Sequence, residues 1–425
     1  MSDNGTLIIG ASQAGLQLAV SLRQLGDTEP ITLIGAEAQP PYQRPPLSKE
    51  FLTGETDLDA LALRTPAFYA DSGISLACGE RITGLALHRH GPAGVAITAR
   101  GRELPFDRLA LTVGARPRRL ALPGAGLDGI CYLRDHGDAA ELRRRLAAAA
   151  HVVVVGGGFV GLETAAAARA VGPASVTVVE AADRLMARAV APVVSEFYRR
   201  AHLSRGTGIR LAAGVSGFEG AHGRVTGVLL ADGSRLPADL VLVGVGVVPR
   251  TELAEQLGLD CSGGIVVDAY ARTSEPSVVA AGDCTIRPDP MTGQGRVRLE
   301  SVQNAVAQAQ VAAATLLGRL DAVPAGRAVP WFWSHQGDLK LQMAGLSTGH
   351  DGYVVRGEPG AECFSVLYYR HGRLLAVDAV NRPADYMAVR RALSLGATID
   401  PDRARDDGTP LKSLIGVGAV PANTA

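Results

Sequence analysis

Residues 151–180 read HVVVVGGGFVGLETAAAARAVGPASVTVVE. His151 and the four valines after it have the β-branched, uninterrupted apolar character of a strand buried on both faces. The next six residues, Gly156-Gly157-Gly158-Phe159-Val160-Gly161, spell a G-x-G-x-x-G turn. In such a turn the first glycine permits a sharp reversal, the second lets backbone approach a pyrophosphate, and the third lets helix meet strand closely. An alanine-rich helix is predicted over 162–171 and a further strand over 175–179. Glu180 stands 19 residues past Gly161, at that strand's end, where a carboxylate accepts hydrogen bonds from ribose hydroxyls. The same charge repels a 2′-phosphate and so favours NADH over NADPH, although Arg184 and Arg188 lie close in the sequence.

A related unit opens the chain, its first glycine 146 residues earlier. Residues 6–9 read as a buried strand, Gly10-Ala11-Ser12-Gln13-Ala14-Gly15 as the turn, 16–25 as a helix ending near Gly26, and 31–34 as the next strand. Ser12 takes the middle glycine's place and Ala14 keeps the turn small. Glu37, 22 residues past Gly15, is the matching acid. One glycine turn is weak support for a nucleotide site. Two, each with strand, helix and acid, predict an α/β chain with two Rossmann-like dinucleotide-binding domains.

Composition agrees. The 425 residues suffice for two or three domains, and 51 glycines with only 4% aromatics suit helices packed tightly on sheets. Lys plus Arg and Asp plus Glu are 42 each, so net charge favours neither nucleic acid nor an anionic membrane. No apolar run is long enough to span a bilayer and no leader precedes the first strand, which points to a cytoplasmic protein. The five cysteines, Cys78, Cys131, Cys261, Cys284 and Cys363, are scattered, with the spacing of neither a metal site nor a redox pair. The closing VGAVPANTA is expected to fray.

Between the turns, PPYQRPPLSKEFL (40–52) carries four prolines that oppose a regular helix and predict an extended segment displaying Arg44 and Lys49. With the first glycine turn, this segment resembles the NADH-dependent ferredoxin reductases of the putidaredoxin reductase type. The resemblance continues through Thr112-Val113-Gly114-Ala115-Arg116-Pro117, Tyr132-Leu133-Arg134, the second glycine turn, and Gly244-Val245-Gly246-Val247-Val248-Pro249. It then takes in Ala280-Ala281-Gly282-Asp283, Glu300-Ser301-Val302-Gln303-Asn304-Ala305, Pro330-Trp331-Phe332-Trp333-Ser334 and Ala376-Val377-Asp378. Similar proteins often carry Asp where this chain has His335.

The resemblance implies a glutathione reductase-like fold with a C-terminal α/β domain. It implies a discontinuous FAD domain (1–115 and 243–325), an NADH domain (116–242) and a C-terminal domain (326–425). FAD would be held by Gly10, Ser12, Ala14, Gly15, Glu37, Arg44, Lys49, Ile82, Arg134, Asp283, Val302 and Trp333. NADH would be held by Gly156, Gly158, Phe159, Val160, Gly161, Glu163, Glu180 and Gly246. Lys49 and Glu163 would face each other across the nicotinamide site as the catalytic pair, and no metal is implied. The implied activity is hydride transfer from NADH to FAD, then one-electron transfers to a [2Fe–2S] ferredoxin serving a haem-thiolate monooxygenase or ring-hydroxylating dioxygenase. The enzyme would be a monomer or weak dimer, and Arg116, Arg118, Arg119 and Arg143 to Arg145 would offer basic surface to an acidic partner. A disulfide reductase of similar build needs a CxxxxC segment after the first turn, and this chain has none. A non-enzymatic redox sensor on the same scaffold is opposed by the intact NADH turn.

Overall fold

The computed structural model describes residues 4–88, 91, 93–322 and 329–416, so the expected fraying of 417–425 lies outside the described residues. The chain divides into two compact units, each in three pieces. The first unit is Met1–Gln43, Leu58–Arg116 and Val247–Pro330; the second is Arg44–Asp57, Pro117–Gly246 and Trp331–Ala425. No described helix is long and apolar enough to cross a membrane.

In the first unit five parallel strands lie in the order Val278–Ala280, Arg108–Leu111, Thr6–Ile9, Ile31–Ile34, Ile74–Ala77. The first strand in sequence is therefore central, and the strand order reverses there, which is where open α/β sheets bind ligands. Helix Gln13–Gln24 brings Leu16, Leu18 and Leu22 into one core with Ala305, Ala309 and Ala312 of helix Val302–Leu316. Small alanines on the second helix leave room for leucines on the first, and each fully buried leucine contributes roughly 1.5–3 kcal/mol. Ser301 caps the second helix, its Oγ accepting the Asn304 N–H at 3.1 Å.

The second unit contains two five-stranded sheets. One is parallel, in the order Thr207–Arg210, Ser175–Val179, His151–Val155, Leu240–Val243, Ile130–Cys131. The other is antiparallel, in the order Trp331–Gln336, Leu339–Gly345, Arg373–Val380, Cys363–Arg370, Gly352–Glu358. A single apolar cluster joins them: Val154, Leu162 and Val178 belong to it together with Leu341, Phe364, Val366 and Tyr368. Phe197 and Phe364 meet edge to face at 4.9 Å within it. Leu52 joins the same cluster, which ties Arg44–Asp57 into this unit.

Three local readings change. The helices begin at Gln13 and Phe159, three residues before the sequence predicts, because the last part of each glycine turn is already the helix's first turn. The proline segment is also not simply extended: Pro45–Ser48 is a 3₁₀ turn and Glu50–Thr53 a short α-helix. Pro45 and Pro46 occupy the first two helical positions, where a backbone N–H has no intrahelical acceptor and a fixed φ is an advantage.

Candidate active site

The first unit carries the N-terminal turn. Gly10 has φ +119°, and a Cβ there would lie 2.1 Å from the Thr112 carbonyl oxygen, so glycine is required. A Cβ on Gly15 would lie 2.1 Å from Gly10 O, while Ser12, in extended conformation (φ −140°), is the N-cap of helix Gln13–Gln24 and Ala14 is buried. Glu37 accepts the Tyr42 hydroxyl at 2.6 Å. Asp283 follows Gly282, whose φ is +86° and whose N–H donates to Gln308 Oε1 at 2.9 Å. Val302 is the first residue of helix Val302–Leu316. Ile82 lies buried in the apolar cluster that contains Ile34 and Phe106.

In the second unit the Gly156–Gly161 turn is built in the same way. Gly156 has φ +111°, and a Cβ on Gly161 would lie 2.0 Å from Gly156 O. Gly158, the N-cap of helix Phe159–Val171, differs from both, because a Cβ there would have nothing within 4 Å. Glu180 is fixed against the turn, its Oε2 accepting the Gly157 N–H at 2.7 Å and its Oε1 the Ala182 N–H at 2.8 Å. Each oxygen keeps a second lone pair for a ribose hydroxyl. Arg184 does not answer this acid; it donates to the carbonyls of Val190 and Ala187 and to Ser195 Oγ. Val160 is exposed, Phe159 packs on Phe332 with ring centroids 4.7 Å apart, and Gly246 (φ +95°) accepts the Arg118 N–H at 2.9 Å.

Lys49 and Glu163 form a direct ion pair, Nζ to Oε2, at 2.7 Å, with side chains only 11% and 5% exposed. The Lys49 ammonium also donates to Pro45 O at 2.9 Å and Ser48 Oγ at 3.2 Å, so its three protons each have an acceptor. Glu163 accepts Ser48 Oγ on Oε2 at 2.6 Å and Ser334 Oγ on Oε1 at 2.7 Å. A buried pair is tolerable only with such added hydrogen bonds, and deleting one member would cost about 3–5 kcal/mol. Arg44 donates to the Arg134 carbonyl at 2.8 Å, bringing those two predicted residues together. Ser48 and Ser334 were not singled out from sequence, although both lie inside the PPLSK and PWFWS segments.

Trp331, Phe332, Trp333, His335, Gln342 and Tyr386 line a cavity of about 260 Å³ in the second unit. Burial, and then the Lys49 ammonium, hold His335 below the ordinary histidine range, so the imidazole is neutral near pH 7. Five of the six arginines offered as basic surface have partners within the chain. Arg144 and Arg145 pair with Glu141, Arg145 also with Asp128, and Arg116 with Glu252; Arg143 lies over Phe51 and Arg119 over Tyr132.

Residues 5–309 match the family described as pyridine nucleotide-disulphide oxidoreductase, and residues 331–415 match the reductase C-terminal family. The chain belongs to the pyridine nucleotide-disulphide oxidoreductase family. Within this family it is 46% identical to rhodocoxin reductase of Rhodococcus erythropolis over 409 residues, 96% of this chain and 94% of that one. It is 39% identical to putidaredoxin reductase CamA of Pseudomonas putida over 429 residues, the full length of both. The crystal structure of the covalent putidaredoxin reductase–putidaredoxin complex superposes with a TM-score of 0.92 at 39% identity, covering 97% of this chain and 98% of that one. As a family member the chain is an oxidoreductase whose cofactors are FAD and NADH. The second turn fits a dinucleotide: the side-chain-free space at Gly158, at the start of helix Phe159–Val171, is what a pyrophosphate at a helix N-terminus requires.

Proposed function

We propose that this chain is an NADH-dependent ferredoxin reductase, which takes a hydride from NADH into FAD and passes electrons singly to a separate [2Fe–2S] ferredoxin. That ferredoxin would serve a haem-thiolate monooxygenase or a ring-hydroxylating dioxygenase. The observation that carries this reading is the state of the thiols. All five cysteines are free. Burial raises Cys78 and Cys261, pushes Cys131 up to about 11, and pushes Cys284 up to about 12. Protonated thiols are poor nucleophiles, and no two of the five cysteines have the sequence spacing of a redox pair, so in this reading the electrons leave to another molecule rather than to an internal dithiol. Full-length likeness to putidaredoxin reductase supports a small electron carrier as that molecule.

When bound, the nicotinamide supplies a hydride and the flavin turns that two-electron donation into single-electron deliveries. The chain's own task is to hold and orient. The first-turn N–H groups of helix Phe159–Val171 would bind the NADH pyrophosphate, with Glu180 on the ribose and Gly246 beside the turn. Gly10, Ser12, Ala14, Gly15 and Glu37 would do the same for FAD, with Asp283 accepting from ribityl hydroxyls. The helix starting at Val302 would present its positive end to the flavin, and Arg44, Ile82, Arg134 and Trp333 complete the proposed set. Lys49 and Glu163 would fix the reacting rings without exchanging a proton, which makes positioning their contribution. The proposed arrangement is an FAD domain of 1–115 and 243–325, an NADH domain of 116–242 and a C-terminal domain from 326. A cytoplasmic location belongs to the same proposal, since unpaired thiols suit a reducing compartment.

Anaerobic stopped-flow mixing tests the reading. NADH should bleach the flavin of the FAD-loaded protein rapidly, and an added [2Fe–2S] ferredoxin should then be reduced one electron at a time. Absence of bleaching, or bleaching with onward reduction of a rubredoxin but of no [2Fe–2S] protein, would defeat it.

A further inference from the structure

Behind Glu163 a line of polar side chains runs into an otherwise apolar core. Ser334, Gln336 and His202 are 0%, 1% and 3% exposed. Ser334 and Gln336 lie two residues apart on strand Trp331–Gln336 and so point to the same face. Leu339, Leu341 and Phe364 of the same sheet join the core cluster that also holds Met186 and Leu162. Apolar side chains would serve the packing here at lower desolvation cost. The polar ones are connected instead: His202 Nε2 lies 2.8 Å from Gln336 Oε1, Gln336 Nε2 lies 3.3 Å from Ser334 Oγ, and Ser334 Oγ lies 2.7 Å from Glu163 Oε1.

The line has a direction. Gln336 turns its amide nitrogen to Ser334 and to Met186 Sδ, so its oxygen faces the imidazole, and His202 must carry its proton on Nε2. Burial holds His202 below the ordinary histidine range, which keeps it neutral with a single donor to spend. Every proton along the line therefore points toward the carboxylate. Donors aligned head to tail polarise one another, and the effect converges on the last acceptor.

We propose that Ser334 and Gln336, backed by His202, are positioning residues that hold the Glu163 carboxylate in the orientation it uses at the nicotinamide site. This rests on the reading that Glu163 borders that site. Ser48 and Lys49 fix one carboxylate oxygen and Ser334 fixes the other, so neither rotation nor withdrawal is left to it. The C-terminal sheet thereby acts on nicotinamide placement through a residue that need never touch the cofactor.

Calorimetric binding of NAD⁺ and of ADP-ribose to the FAD-loaded enzyme tests this, because ADP-ribose lacks the nicotinamide but keeps everything the glycine turn and Glu180 would hold. Ser334→Ala removes one charge-assisted hydrogen bond and should weaken NAD⁺ about tenfold, leaving ADP-ribose unchanged. Flavin reduction at saturating NADH should slow by a similar factor. Gln336→Leu, which keeps the volume, should produce a smaller loss of the same kind. On a Glu163→Gln background, removing the Ser334 hydroxyl should cost nothing further. Equal weakening of NAD⁺ and ADP-ribose by Ser334→Ala would mark a merely structural role and overturn the proposal. So would an effect of Glu163→Gln with none from Ser334→Ala or Gln336→Leu, which would leave the reading of Glu163 intact. If Glu163→Gln itself changes neither NAD⁺ affinity nor reduction rate, the reading of Glu163 fails and the proposal falls with it.

Discussion

Asp378 carries a carboxyl group where almost no water reaches it. It is 1% exposed, and the Tyr368 hydroxyl donates to its Oδ2 while accepting the Ala191 N–H at 2.8 Å. Burial pushes this carboxyl from 3.8 up to about 7, against the smaller downward pull of the Tyr368 hydrogen bond. An acid raised in the folded state keeps a proton that the unfolded chain has already released. Stability should therefore fall as pH rises from about 4 to about 7, then level off. Asp378→Asn, which keeps the acceptor for Tyr368, should lose this slope and be more stable than the parent at pH 8 by roughly 2–4 kcal/mol. Denaturant titrations at pH 5 and pH 8 decide it; an unaltered slope in the Asn variant would place the titrating group elsewhere. Asp378 lies within the Ala376-Val377-Asp378 stretch that carried part of the family resemblance, yet nothing in the sequence marked it as buried. Ser48 and Ser334 escaped for the same reason. Their bonds to Glu163 span 115 and 171 positions, and neither periodicity nor spacing carries information over such distances.

The two glycine turns were legible because their rules are local: a positive φ, a close backbone approach and a helix start are all dictated within six residues. The structure adds a distinction among those glycines. Gly10, Gly15, Gly156 and Gly161 are glycines because backbone atoms crowd them; Gly158 is crowded by nothing. With φ −83° and ψ −178°, its conformation suits alanine as well. Gly158→Ala should therefore leave the melting temperature within error while weakening NADH tenfold or more, about 1.4 kcal/mol, since the methyl would project where the pyrophosphate belongs. Gly161→Ala should instead lower melting and binding together. A Gly158→Ala protein with parental NADH affinity would show that the pyrophosphate lies elsewhere. The proline segment was less legible, because two prolines in succession suit an extended chain and the first positions of a helical turn equally well. Hydrogen bonds from Leu47 N to Arg44 O and from Lys49 N to Pro46 O, both 3.0 Å, select the turn.

At the scale of the molecule, the order of segments in the sequence predicts an insertion, and the contact pattern of the apolar residues does not follow from it. The antiparallel sheet and the second dinucleotide fold share one cluster, so neither has a complete core alone. A chain ending at residue 330 loses Leu341, Phe364, Val366 and Tyr368 from that cluster and Ser334 from Glu163. It should aggregate or fail to bind NAD⁺, as read by size-exclusion chromatography and calorimetry; a monomeric product with parental NAD⁺ affinity would contradict a shared core. The interleaving of the two units also bears on how the protein is made. Helix Gln13–Gln24 leaves the ribosome well ahead of the helix it packs against, Val302–Leu316, which is some 280 residues behind it. At roughly 5–20 residues per second, Leu18 and Leu22 wait on the order of tens of seconds for their native cover. The first unit can close only once residue 330 is translated, and the second only once the antiparallel sheet that follows residue 330 has been made. A nascent chain that holds its earliest apolar helix open for so long is a natural client of the chaperones that meet polypeptides at the exit tunnel.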